Sequence, residues 1–234
     1  MVSLPPLHRF SSVILGLLVL QSATPLASED SLPSLKQQLI EAHGFHRFEE
    51  IKTLSFGFHA RIAVAIRVDR SWEWNVESNV VTLKDSDGDI EVQYDRDLLS
   101  TLGEKEKEAD SKFINDTFWL AWPLHLSWNN DVQVEEIGMK EDPLTKSQRR
   151  CIVIDYSTTT GGYTPGDRYE LFFAEDGDLL PETWAYYPAG KDDPKVVCSW
   201  ENYTTLEGFT FAQNHENSNG LFKLWKDEIS VTTR

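Results

Sequence analysis

Thr53-Leu-Ser-Phe-Gly-Phe-His-Ala-Arg-Ile-Ala-Val-Ala-Ile-Arg-Val68 carries a period of two. Phe56, Phe58, Ala60, Ile62, Val64, Ile66 and Val68 alternate with Ser55, Gly57, His59, Arg61, Ala63, Ala65 and Arg67. Successive side chains of a strand point to opposite faces, so the pattern predicts one long β-strand with a strongly apolar face.

Outward from that strand, short strand-like segments follow at roughly regular spacing. They read at Ser71–Val76, Val80–Lys84, Ile90–Tyr94, Val132–Met139, Arg150–Ser157, Arg168–Ala174, Glu182–Tyr187, Val196–Tyr203, Thr210–His215 and Phe222–Thr232. Asp87-Gly88, Gly161-Gly162, Asp176-Gly177 and Asn219-Gly220 each offer the positive φ that tight hairpins need. Consecutive strands joined in this way form an antiparallel meander. On the N-terminal side, Leu35, Leu39 and Ile40 share one face of a helix over Ser31–His43, with Gly44 as its stop and a further helical turn over His46–Ile51. The meander is interrupted between Asp97 and Trp122, where the charged run Gly103–Glu108 leads into a second helix. That helix carries Phe113, Ile114, Thr117, Phe118 and Ala121 on one side, and Pro123 is expected to end it.

The first 27 residues have a different character. Met1–Phe10 holds one cation, Arg9; Ser11–Leu20 is apolar; Gln21–Ala27 is small and polar. This is the pattern of a secretory leader. The apolar run of about 10 residues falls well short of the roughly 20 that span a bilayer. Residues 1–27 are therefore read as a cleaved signal peptide and 28–234 as a single soluble domain, periplasmic or extracellular. No cysteine lies near the junction, so a lipid-modified N-terminal cysteine is excluded.

The chain has 22 Lys+Arg against 38 Asp+Glu, a formal charge of −16. Such a surface repels phosphate backbones, and nucleic acid is not an expected partner. Cys151 and Cys198 each sit in a strand-like segment. In an oxidising compartment they are either two buried thiols or one disulfide joining two strands, and the disulfide is the expectation carried forward. Two cysteines cannot form the usual four-ligand zinc site, and no cofactor is expected.

The densest apolar stretch is Phe113-Ile-Asn-Asp-Thr-Phe-Trp-Leu-Ala-Trp-Pro-Leu-His-Leu-Ser-Trp128. Its rings either fill a core or line a pocket for an apolar ligand between helix and sheet. Trp72, Trp74, Trp184 and Trp200 add rings from the strands. The acidic loop Asp85–Glu91 fails as a calcium loop, because with Gly88 at its sixth position Leu83 and Tyr94 fall where ligating carboxylates belong. His43 and His46 stand three apart at a helix end, where interaction with the terminal carbonyls explains a histidine without a metal. No Gly-x-Ser-x-Gly elbow, His-Glu-x-x-His or phosphate-cradling glycine loop occurs.

Arg70-Ser-Trp-Glu-Trp74 through Asp87-Gly-Asp-Ile-Glu-Val-Gln-Tyr-Asp95 resembles the early strands of the periplasmic lipoprotein carriers LolA and LolB. Glu41–His46, Ile51–Phe56, Phe118–Leu126 and Glu207-Gly-Phe209 are similar, in order, to a family of exported bacterial proteins of unknown function near that fold. The resemblance implies a mainly β chain, an incomplete antiparallel half-barrel of about ten or eleven strands, with helices covering an apolar cavity on its concave face. In the Lol carriers that cavity takes up acyl chains without chemistry and an arginine fastens the lid; Arg67 and Arg70 are the nearest candidates here. The expectation is thus a non-enzymatic binding protein for a lipid or other apolar molecule, with Phe113, Phe118, Trp119 and Trp122 from the helix and Trp72 and Trp74 from the sheet as ligand-binding residues. The rivals are an envelope interaction protein whose core is filled by its own aromatics, and a hydrolase using acidic residues.

Overall fold

The computed structural model describes residues 32–63, 65–159, 165–175 and 177–234. The leader read at residues 1–27 and the Gly161-Gly162 turn lie outside the described residues. Helix α1 (Leu35–Ala42) starts four residues beyond Ser31, because Ser34 caps it: Ser34 Oγ accepts from Gln37 N–H, and the Gln37 side chain accepts from Ser34 N–H. Gly44, at φ 80°, then reverses the chain so close to the Gly208 carbonyl oxygen that a Cβ would lie 2.0 Å from it. A 3₁₀ turn over Phe45–Glu50 leads into the sheet.

The predicted long strand is a hairpin. β1 (Ile51–Ile62) and β2 (Ile66–Asn75) pair antiparallel with Ile62 opposite Ile66, and Ala63 takes φ 52°. The turn was hidden because Ile62 to Ile66 contains neither Gly nor Pro and keeps the two-residue alternation through the bend. β3 (Val80–Lys84) and β4 (Ile90–Asp95) continue the meander. Across these four strands the inner face is built in rows: Leu54, Trp74, Val81 and Tyr94 stand opposite one another, as do Phe56, Trp72, Leu83 and Val92.

Helix α2 (Glu104–Trp128) follows, then β5 (Gln133–Glu141), β6 (Gln148–Asp155), β7 (Arg168–Phe173), β8 (Pro181–Tyr187) and β9 (Val196–Ser199), which form a five-stranded sheet in that order. β10 (Glu201–Leu206), β11 (Phe209–Glu216) and β12 (Phe222–Thr233) return to the first sheet, whose order is β10-β11-β12-β1-β2-β3-β4. All pairings are antiparallel. The expected single strand over Val196–Tyr203 therefore divides at Trp200, whose buried ring marks the crossing from one sheet to the other. That division makes twelve strands among the described residues instead of eleven. The chain is mainly β, and its two sheets do not close into a barrel. The architecture is an open half-barrel with α2 packed on its inner face.

Pro123 does not end α2; it bends it. Ala121 leaves helical geometry (φ −141°, ψ 51°), and Pro123 then sits in the first turn of a second helical segment, where a missing N–H costs nothing. α2 is tied to the first sheet by a buried carboxylate. Asp116 accepts from Arg70 Nε (2.7 Å) and Nη2 (2.8 Å), Trp72 Nε1 (2.8 Å) and Asn115 Nδ2 (3.0 Å). Of the two candidate fastening arginines, Arg70 thus grips the helix, whereas Arg67 is exposed. No helix among the described residues is long and apolar enough to cross a membrane.

The expected disulfide is overturned. Cys151 lies opposite Phe172, and Cys198 lies opposite Trp184, Leu171 and Ile152 in turn. Ile152 is Cys151's neighbour in β6, so the two cysteines point to opposite faces of the sheet. β7 and β8 also stand between them, at about 4.8 Å per strand. Both are free, buried thiols: Cys198 belongs to the main core, and Cys151 to a smaller cluster with Phe172, Ala185 and Tyr187 on the far face.

Candidate functional site

The six aromatic residues singled out from the sequence divide into two groups. Trp72, Trp74, Phe113 and Trp122 are at most 3% exposed and fill the core. Phe113 sets its ring edge-on against both Trp72 and Trp74, at 5.4 Å each. Phe118 and Trp119 are half-buried and line a cavity of about 570 Å³ between α2 and the five-stranded sheet, Phe118 facing that sheet and Trp119 packing on Trp200, His215 and Phe222. The helix period explains the division: Phe113 and Trp72 lie on the Asp116 side, tied to the first sheet, and Phe118 turns toward the second.

The opposite wall consists of Tyr156, Tyr169, Trp184 and Tyr186 from β7, β8 and the end of β6; His125 and Trp128 close the end beyond the kink. Phe118 packs against Tyr169 (5.1 Å) and Trp184 (5.5 Å), and Tyr169 stacks on Tyr186 (5.3 Å). Trp184 was visible in the sequence as one more strand ring. The tyrosines were not singled out, although Tyr169 and Tyr186 alternate correctly with their neighbours to share the inner face. What would have found them is the register that sets Tyr169 opposite Tyr186.

Polar groups rim the cavity, and most are engaged. Arg96 Nε donates to Asp110 Oδ1 (2.7 Å) while its guanidinium lies over Phe113 and Trp128. Asp167 accepts from the Tyr186 hydroxyl (2.9 Å) and from Ala189 N–H (3.0 Å). Lys195 is exposed and has no ion-pair partner among the described residues. Burial, with Arg96 nearby, drives the His125 pKa down to about 3, so its ring stays neutral at ordinary pH, 3.3 Å from Thr117 Oγ1. Burial and the Asp167 carboxylate push the Tyr186 phenol up to about 12. Burial also raises Tyr156. None of these three groups changes charge near neutrality, the condition for efficient proton transfer.

The other candidates resolve as structure. Asp85 Oδ1 accepts from Asp87 N–H (3.0 Å) and Asp89 N–H (2.9 Å), closing the β3–β4 turn. His43 is buried, with Nδ1 3.0 Å from the Leu39 carbonyl and its ring edge-on to Trp122, while His46 is exposed.

No protein-family model and no curated protein matches the chain. Solved structures do. A DUF1329 family protein from Desulfovibrio piger is 7% identical, with 84% of this chain and 91% of that one covered and a TM-score of 0.43. A LolA superfamily protein from Nitrosomonas europaea is 8% identical, with 85% of this chain and 94% of that one covered and a TM-score of 0.48. The chain is similar in structure to these two proteins.

Proposed function

We propose that the protein is an exported, non-enzymatic binding protein that holds a lipid or another apolar molecule in the cavity between α2 and the five-stranded sheet. One observation carries this reading: a cavity of about 570 Å³ walled by Phe118, Trp119, Tyr169, Trp184 and Tyr186. Its size falls within the roughly 300–1,000 Å³ of small-molecule sites. The driving force is apolar burial, about 0.8 kcal/mol per methylene. Export is the reading of residues 1–27. Binding without chemistry accords with a rim on which Arg96 is held by Asp110, Asp167 is held by the Tyr186 hydroxyl, and His125 stays neutral.

Native mass spectrometry of the protein purified from its own source tests the reading. A lipid mass retained by the folded protein, and lost in a Phe118→Asp variant that still folds, is the expected result. A bare protein mass that takes up no fluorescent fatty acid would favour the second reading, an envelope interaction protein. The fully packed Trp72, Trp74, Phe113 and Trp122 are the observation on that side.

A further inference from the structure

The tip of the β1–β2 hairpin has the sequence Arg61-Ile-Ala-Val-Ala-Ile-Arg67, an apolar centre between two arginines. The strand registers place Lys223, Arg61 and Arg67 opposite one another on β12, β1 and β2. They form one lateral row on the outer face, the face of His59 and Trp225. Lys223 has Glu216 at 3.4 Å; Arg61 and Arg67 have no ion-pair partner among the described residues. Like charges directly opposite one another destabilise a sheet. A chain with a formal charge of −16 thus concentrates three cations at one edge.

Immediately beyond that row the surface is apolar. Ile62 is 38% exposed, Ile66 52%, and Leu221, from the adjoining β11–β12 turn, 52%. The Ala63 N–H donates to the Leu221 carbonyl (2.6 Å), which joins the two hairpin tips. Apolar side chains at the tip, with a row of cations one residue behind them on the outer face, match the order of an anionic lipid interface, in which an inserted tip meets the acyl region and the residues behind it meet the phosphate layer.

We infer that this double hairpin tip docks the protein onto an anionic lipid surface, with Ile62, Ile66 and Leu221 entering the interface and Arg61, Arg67 and Lys223 meeting head-group phosphates. The net negative charge opposes approach as a whole, and the local row of cations, one row beyond Asp69 and Asp227 at His59, is the feature that orients it. A groove lined by Ile62, Phe222, Val196 and Lys195 runs back from the tip, and Lys195 also borders the cavity. The docking surface stands on the tip itself and holds whether or not the cavity takes a ligand.

Flotation of the full protein with phosphatidylcholine vesicles, with and without phosphatidylglycerol, tests the assignment. The wild type is expected to float with the anionic vesicles at low salt and to be released at high salt. Each cation near such a surface is worth about fivefold in affinity. The Arg61→Gln/Arg67→Gln pair should therefore bind about 25-fold more weakly, and Ile62→Ser/Ile66→Ser should abolish flotation, with circular dichroism unchanged. If either variant fails to fold, the wild type's preference for anionic vesicles and its salt dependence decide. No flotation, equal flotation on both vesicle types, or indifference to the four substitutions would overturn the inference. So would capture of a protein through the tip by a chain that ignores vesicles.

Discussion

The Lys226 side-chain nitrogen, whose pKa burial lowers well below the usual lysine value, donates to the carbonyl oxygen of Trp119, at 3.0 Å. Trp119 is the residue four positions before Pro123, so this is the carbonyl that the proline's missing N–H leaves without its helical partner. The same lysine contacts His215 Nε2, while His215 Nδ1 faces the Ser199 carbonyl at 3.2 Å. A buried amine from β12 therefore completes the bend in α2 that shapes the cavity wall. Lys226→Met leaves the Trp119 carbonyl and His215 without that donor and should lower the unfolding free energy by about 1–3 kcal/mol. Urea unfolding measures it, and an unchanged midpoint would mean the carbonyl does not depend on this lysine.

The two cysteines give a second expectation. Cys151 and Cys198 are fully buried, and burial pushes the Cys151 thiol up to about 12. Neither forms the reactive thiolate at neutral pH. Intact mass should correspond to two thiols, with no reaction with a thiol reagent in the native protein and full labelling in urea. A mass two daltons lower, from a native disulfide, would contradict the strand register.

Acid should destabilise the fold through buried histidines. Burial takes His43 down to about 4 and His125 to about 3, and it lowers His215 as well. Because the folded-state values lie below the unfolded 6.5, the unfolded chain binds more protons in acid. Their stabilisation is complete above that value and is lost as pH falls through it toward 4 and 3. Shifts of this size correspond to about 3–5 kcal/mol per group. Urea midpoints should fall between pH 6.5 and 4, and a folded His125→Phe variant should show a shallower fall. Equal slopes in the two proteins would remove His125 from the account.

His59 has the opposite sign. Its Nδ1 lies 2.8 Å from Asp69 Oδ1 and its Nε2 2.9 Å from Asp227 Oδ1, with the ring stacked on Trp225. Burial lowers its pKa, but the two carboxylates outweigh that effect and leave it raised above 6.5. The contribution of this bridge between β2 and β12 is therefore fully present below 6.5 and is lost as pH rises through the folded-state value. An NMR titration of the imidazole should find its midpoint above 6.5, and Asp227→Asn should bring it down. A wild-type midpoint at or below 6.5 would contradict the bridge.

Much of this fold was legible because it rests on local chemistry. Gly44, Gly88 and Gly220 mark an end and turns by themselves, and alternation along β1 gives its buried face, whereas the helix start at Ser34 rather than Ser31 was not marked. The hairpin at Ile62–Ile66 was not, since an unbroken alternation carries no record of a bend. The division at Trp200 was equally hidden, because both halves are strand and only the partner strands differ. For the cavity, the sequence named the right helix but could not separate core from wall. Phe113 and Phe118 are both apolar on one helix, and what separates them is Asp116, held by Arg70 on one side of α2. The cysteine pairing failed for the related reason that the face each cysteine occupies depends on register.

An equilibrium titration with a homologous series of alkyl carboxylates tests most directly whether the gap between α2 and the second sheet holds an apolar ligand. At about 0.8 kcal/mol per buried methylene, affinity should rise roughly fourfold with each added carbon and then level off once the cavity is full. Phe118→Asp should abolish the dependence in a protein that still folds. No saturable binding at any chain length, or binding whose affinity ignores both chain length and Phe118, would contradict the account.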